Sequence, residues 1–193
     1  MTHPSTHSGQ ADKVTFGFWV YLMSDCVLFA GLFATYAVLR TATFGGPAID
    51  SIVDLPYVLG ETLLLLTSSF TMGLAMLAAH AGKKHLTLAA LTATLMLGLG
   101  FLTMEVYEFA HLLGAGHGPG TSAFLSSFFT LLGTHGLHVA LGSVWMLVVM
   151  AHVYVRGLVG GTRSKLMCLG LFWHFLDIIW IFIFTFVYLF GSL

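Results

Sequence analysis

Hydrophobic positions along this chain fall into five long runs, each closed by a short polar or glycine-rich segment. The runs cover about residues 16–39, 56–80, 86–113, 123–154 and 166–190. An α-helix needs about 20 predominantly apolar residues to cross a bilayer, and each run is long enough. The breaks carry turn and stop residues: Arg40 and the Gly45–Pro47 turn, then Gly82-Lys83-Lys84, then the glycine-rich Gly114–Gly120 loop, then the basic stretch Arg156–Lys165. Pro56 stands where the first turn of a helix tolerates proline. The pattern predicts an all-α integral membrane bundle of five transmembrane helices over residues 16–193, preceded by a polar N-terminal tail, residues 1–15. His3 and His7 are read as part of a disordered tail. No internal repeat or low-complexity tract interrupts this plan.

Composition agrees with it. Of 193 residues, 58% are hydrophobic and 8% charged, where a soluble domain carries about 25% charged residues. Five spans leave no room for a separate soluble domain. A formal net charge of −1 excludes nucleic acid as the binding partner the chain is built for. Cys26 and Cys168 both fall inside apolar runs and read as small buried residues rather than a disulfide framework. The first run is longer than a signal-peptide core and contains Asp25, so it reads as a retained helix.

Charge sets the expected orientation. With five spans, the N-terminus and the second–third and fourth–fifth links share one side, which holds Lys13, Lys83, Lys84, Arg156, Arg163 and Lys165, while Arg40 alone stands on the other. The positive-inside rule then makes the N-terminus cytoplasmic and the C-terminus external, that is, periplasmic.

Eight ionisable residues inside the spans draw attention: Asp25, Glu61, Glu105, Glu108, His135, His138, His174 and Asp177. A charged carboxylate at a helix centre costs about 2.5–3.5 kcal/mol on insertion scales. These groups are therefore expected to face the bundle interior, to pair, or to hold a proton. At about 1.5 Å per residue, Asp25, His135, His174 and Asp177 share a layer near mid-membrane, and Glu61 and Glu105 form a second layer toward the external face with Glu108 near its edge. His135, His138 and Gly142 share one stripe of the fourth helix, where Gly142 would admit a neighbouring backbone; Trp173, Asp177 and Trp180 share one on the fifth. Interhelical hydrogen bonding explains such residues, and so would a proton relay or contact with lipids or partners. The shared depth predicts that Asp25 meets His135 or the His174/Asp177 face.

Glu108-x-x-His111 matches half of a di-iron pattern, but that arrangement needs two such pairs and two more glutamates. No metal site and no catalytic residue is therefore assigned to this chain. Nor does it contain a Cys-x-x-Cys pair, a phosphate loop or a Gly-x-Ser-x-Gly elbow.

Four segments carry a family resemblance. Phe18-Trp-Val-Tyr-Leu-Met-Ser-Asp-Cys-Val-Leu-Phe29 resembles the opening conserved helix of subunit III of haem–copper terminal oxidases. Glu105-Val-Tyr-Glu108 resembles that family's Glu-aromatic-Tyr-Glu element, Gly133-Thr-His-Gly-Leu-His-Val139 its His-Gly-Leu-His signature, and Trp173-His-Phe-Leu-Asp-Ile-Ile-Trp180 its Trp-His-Phe-Val-Asp-hydrophobic-Trp signature. They occur in the family's order. Many members have seven spans, and this chain lacks the first two. The family's carbodiimide-reactive glutamate falls on Asp25. Five spans and Ser24-Asp25-Cys26 resemble the bacterial, ubiquinol-oxidising branch.

The resemblance implies a subunit without a redox centre or cofactor of its own, in a complex that oxidises ubiquinol, reduces oxygen and pumps protons. It implies subunit I, which carries the haems and copper, as the main partner, with subunit II and a small fourth subunit. It also implies phospholipid held in a cleft, and residence in the bacterial inner membrane. The family's lipid and proton-uptake roles would fall on Asp25, Glu61 and the His135–His138 face. A stand-alone proton-coupled transporter is the competing reading, against which an odd span count and the missing repeat weigh. A membrane metalloenzyme is the other.

Overall fold

A computed structural model describes residues 6–45 and 54–191. His3 and Pro47 from the sequence reading lie outside them. The chain forms five long helices: α1 (Thr6–Leu39), α2 (Leu55–His80), α3 (Lys84–Gly114), α4 (Ala123–Arg156) and α5 (Gly160–Ile183). A six-residue π-helical turn, Phe184–Leu189, continues α5. Helical segments Thr15–Leu39, Leu55–His80, Lys84–Gly114, Ala123–Arg156 and Gly161–Leu189 are each long and apolar enough to cross a membrane. The described residues contain no strand. An all-helical plan is what a bilayer selects, because a helix satisfies its backbone polar groups within itself.

The helix ends follow from local chemistry. Pro56 sits in the first turn of α2, where its missing N–H is not needed. The α2 C-terminus closes with Lys83 N–H donating to the Ala78 carbonyl at 3.0 Å around Gly82, whose φ is +72°. His117 N–H to Leu112 carbonyl, 2.9 Å, does the same for α3 around Gly116. Both are Schellman closures, which require a left-handed residue that glycine supplies without strain. Ser122 caps α4, its hydroxyl accepting from Leu125 N–H at 3.1 Å.

Consecutive helices run antiparallel, and polar contacts pin their ends. Lys84 Nζ at the start of α3 donates to the Tyr154 carbonyl near the end of α4 (2.8 Å), and Lys165 Nζ in α5 lies 3.5 Å from His152 Nε2. At the opposite end Phe124 N–H donates to the Ala42 carbonyl (3.3 Å) and the Tyr57 hydroxyl to the Met104 carbonyl (3.0 Å). α2 and α3 make the most extensive pair. α5 packs on α2, α4 and α1, which makes it the central helix and the most buried span. α1 leans on α4 and α5 and is the least buried. Its outer face carries Phe16, Val20, Val27 and Val38, all exposed, as suits a helix against lipid or another membrane helix.

Small residues set the close approaches. A Cβ on Gly98 would lie 2.7 Å from the Trp173 ring, and one on Gly142 would lie 2.9 Å from Phe172. Gly142 therefore admits aromatic rings of α5 rather than the neighbouring backbone expected from its stripe.

Candidate functional site

The interior polar groups line up along α5. Trp173 and Trp180 are seven residues apart, two helical turns, so both rings point the same way. Each indole N–H donates at 3.0 Å to a hydroxyl of α2: Trp173 to Ser68, Trp180 to Thr62. Ser68 and Thr62 in turn donate to the carbonyls of Leu65 (2.7 Å) and Val58 (2.9 Å). Ser69, next on α2, lies 2.7 Å from His174 Nδ1. Asp177, one turn further, is buried, with Oδ1 lacking a hydrogen-bond partner. These hydroxyls were passed over in the sequence. Thr62 and Ser68, six residues apart within an apolar run, come close to the seven-residue Trp173–Trp180 interval and are the signal that marks them.

Asp25 reaches α4 as expected, but at a different histidine. Asp25 Oδ2 stands 3.8 Å from His138 Nε2. His138 Nδ1 donates to the Thr134 carbonyl at 2.7 Å, because a carbonyl can only accept. Nε2 is thereby turned toward the carboxylate, at a separation too long for a hydrogen bond. Phe29, fully buried, packs on the same ring at 5.4 Å between centroids.

His135 belongs to the next layer. It is fully buried and neither ring nitrogen has a hydrogen-bond partner. Its ring lies 5.3 Å from Trp180 and meets Phe101 edge-on at 5.9 Å. Three residues along a helix differ by about 60° in direction, so His138 turns toward Asp25 and His135 toward Phe101 and Trp180, while Phe29 of α1 lies against both rings. Depth alone did not distinguish them.

Glu61, Glu105 and Glu108 converge near the end of the bundle that carries Arg40. Glu61 of α2 is fully buried, both its oxygens lack a partner, and it lies within electrostatic reach of Glu105 and Glu108. The Glu105 carboxylate rests on α4 at Gly136, where a Cβ would stand 2.5 Å from Oε2. Glu108, half-buried, accepts from the Tyr188 hydroxyl, 3.1 Å to Oε2. The π turn makes that contact. Phe190 N–H donates to the Thr185 carbonyl, five residues back, at 2.9 Å. The wider turn rotates the chain less per residue, so Tyr188 returns to the face of Trp180, with ring centroids 6.2 Å apart. Single π turns are frequent at functional sites. Tyr188 gave no sequence signal, since nothing in its neighbourhood announces a π turn.

Among the described residues no three His, Cys, Asp or Glu side chains are grouped to hold a metal ion. A cleft of about 870 Å³ opens between α1 and the end of α5, lined by Ala30, Phe33, Tyr36, Phe182 and Phe186, with Arg40 at its rim. It is apolar along the helices and carries a cation, Arg40, at one end.

Five apolar helices around a polar interior define a multi-pass helical membrane protein. Residues 3–192 match the family described as cytochrome c oxidase subunit III, and the chain belongs to that family. It is 58% identical over 191 residues to the cytochrome bo(3) ubiquinol oxidase subunit 3 of Pseudomonas aeruginosa, covering 99% of this chain and 91% of that one. The protein of the same name from Pseudomonas putida is 52% identical, over 96% of this chain and 89% of its own length. The quinol oxidase subunit 3 of Bacillus subtilis is 45% identical, over 91% and 86%.

Proposed function

We propose that the chain is the accessory subunit III of a bacterial, proton-pumping ubiquinol oxidase in the inner membrane. The observation that carries the reading is 58% identity along 99% of the chain to a protein of that name. The interior chemistry accords with a packing role: Trp173, Trp180 and His174 of α5 meet hydroxyls of α2 and so join the two helices. In this reading the haems and copper sit in subunit I, which this chain stabilises, alongside subunit II and a small fourth subunit. The end bearing Lys83, Lys84, Arg163 and Lys165 faces the cytoplasm and the end bearing Arg40 the periplasm, the arrangement favoured by positive-inside bias. The α1–α5 cleft holds a phospholipid, its chains along Phe33, Phe182 and Phe186 and its phosphate at Arg40.

The test is purification of the tagged chain in mild detergent, with an absorption spectrum and an oxygen-uptake assay. Haem bands, larger co-purifying membrane subunits and ubiquinol-dependent oxygen uptake are expected. A colourless protein that moves protons by itself in liposomes would overturn the proposal and favour a stand-alone transporter.

A further inference from the structure

The three glutamates invite a chemical reading of their own. They come from two helices that touch where Gly60 meets Met104 and the Tyr57 hydroxyl bonds the Met104 carbonyl, and Glu61 contributes a fully buried carboxyl with no hydrogen-bond partner, within electrostatic reach of Glu105 and Glu108. The other titratable groups around them are Tyr57 of α2, within electrostatic reach of Glu61 and Glu108, and Tyr188 of the π turn, within reach of all three. On α4, His135 lies one ring away across Trp180, whose N–H is bound to Thr62 beside Glu61. Among the described residues no Lys or Arg is among the groups acting on the three carboxyls.

Without a counter-cation in an apolar bundle, three adjacent carboxylates cannot all be ionised: each charge is poorly solvated and repels the other two. Protons are the ligand this chemistry takes. Access is on one side. Glu108 is half-buried and lies six residues from the end of α3, about 9 Å along the helix axis, whereas Glu61 and Glu105 are sealed.

We propose that Glu61, Glu105 and Glu108 form a single proton-sharing site, filled and emptied through Glu108 from the aqueous face at the Arg40 end. In loading, a hydronium ion gives its proton to the Glu108 carboxylate and leaves as water. Transfer to Glu105 or Glu61 then breaks the Glu108 O–H bond and forms one on the inner carboxylate. The Tyr188 hydroxyl, donating to Glu108 at 3.1 Å, holds the entry carboxylate in place.

The test is infrared spectroscopy of the protein, purified with its accompanying subunits, across a pH series in H2O and D2O. Protonated carboxyls show a C=O stretch that shifts in D2O. Glu61→Gln and Glu105→Gln are each expected to remove one such band. Glu108→Gln is expected to move the titration midpoint of the remaining two by about one pH unit or more, the mark of coupled sites. Tyr188→Phe keeps all three carboxyls and the packing, and is expected to shift the Glu108 band alone. The proposal is overturned if neither inner variant removes a band at any pH. It is also overturned if the inner bands titrate at wild-type midpoints in Glu108→Gln, or if Tyr188→Phe leaves the Glu108 band unmoved.

Discussion

The Trp180 indole N–H donates to the Thr62 hydroxyl at 3.0 Å, joining the central helix to α2 inside the bundle. Thr62→Val preserves the side-chain shape and leaves that N–H buried with no acceptor. Hydrogen bonds in membrane interiors contribute about 0.6 kcal/mol on average and up to about 1.7. Unfolding in a denaturing-detergent titration should show a loss within that range. Ser68→Ala, which strips the acceptor from Trp173, should give a similar loss. The double variant should be additive, since the two bonds share no partner.

Two glycines should behave oppositely. A methyl on Gly98 would collide with the fully buried Trp173 ring, whereas one on Gly73 meets nothing within 4 Å. Overpacking typically costs about 1–3 kcal/mol, so Gly98→Ala should lower the thermal midpoint of the purified protein. Gly73→Ala should leave it unchanged or raise it slightly, through better helix propensity.

Asp25→Asn keeps a polar group opposite His138 and removes no redox ligand. Oxygen uptake by the assembled complex should stay close to wild type. Loss of turnover in a complex with normal haem content would assign Asp25 a direct part in the reaction. A double-mutant cycle with His138→Gln should return a coupling energy of about 0.6 kcal/mol, as for other polar pairs within membranes.

Arg40→Gln removes the cation at the rim of the α1–α5 cleft, at an exposed position. Mass spectrometry of lipids retained through purification should show less anionic phospholipid per protein. Unchanged retention would place the lipid elsewhere.

The five helices were legible because a bilayer demands long apolar runs, and these stand out without reference to tertiary structure. The ionisable residues were legible for the same reason, as costly exceptions within those runs. Which of them meet was legible only in part. Depth counting placed Asp25 level with His135 and with the His174/Asp177 face but gave no direction around the helix, whereas the carboxylate meets His138. The Tyr188–Glu108 contact was hidden, because it depends on a π turn that no residue pattern declares. The Trp–hydroxyl pairs lay in between: the two tryptophans of α5 and the hydroxyls of α2 were visible, but only packing shows that Trp173 meets Ser68 and Trp180 meets Thr62.

The central position of α5 bears on how the protein is made. Ribosomes deliver the N-terminal helices first, so α1 to α4 must enter the membrane while the segment that joins them is still unsynthesised. Until it arrives, Ser68 and Thr62 face a crevice, and Gly98 and Gly142 border empty sockets for rings not yet present. The keystone leaves the translocon after the helices it joins, and a chain cut short before Trp173 would offer proteases an open arch.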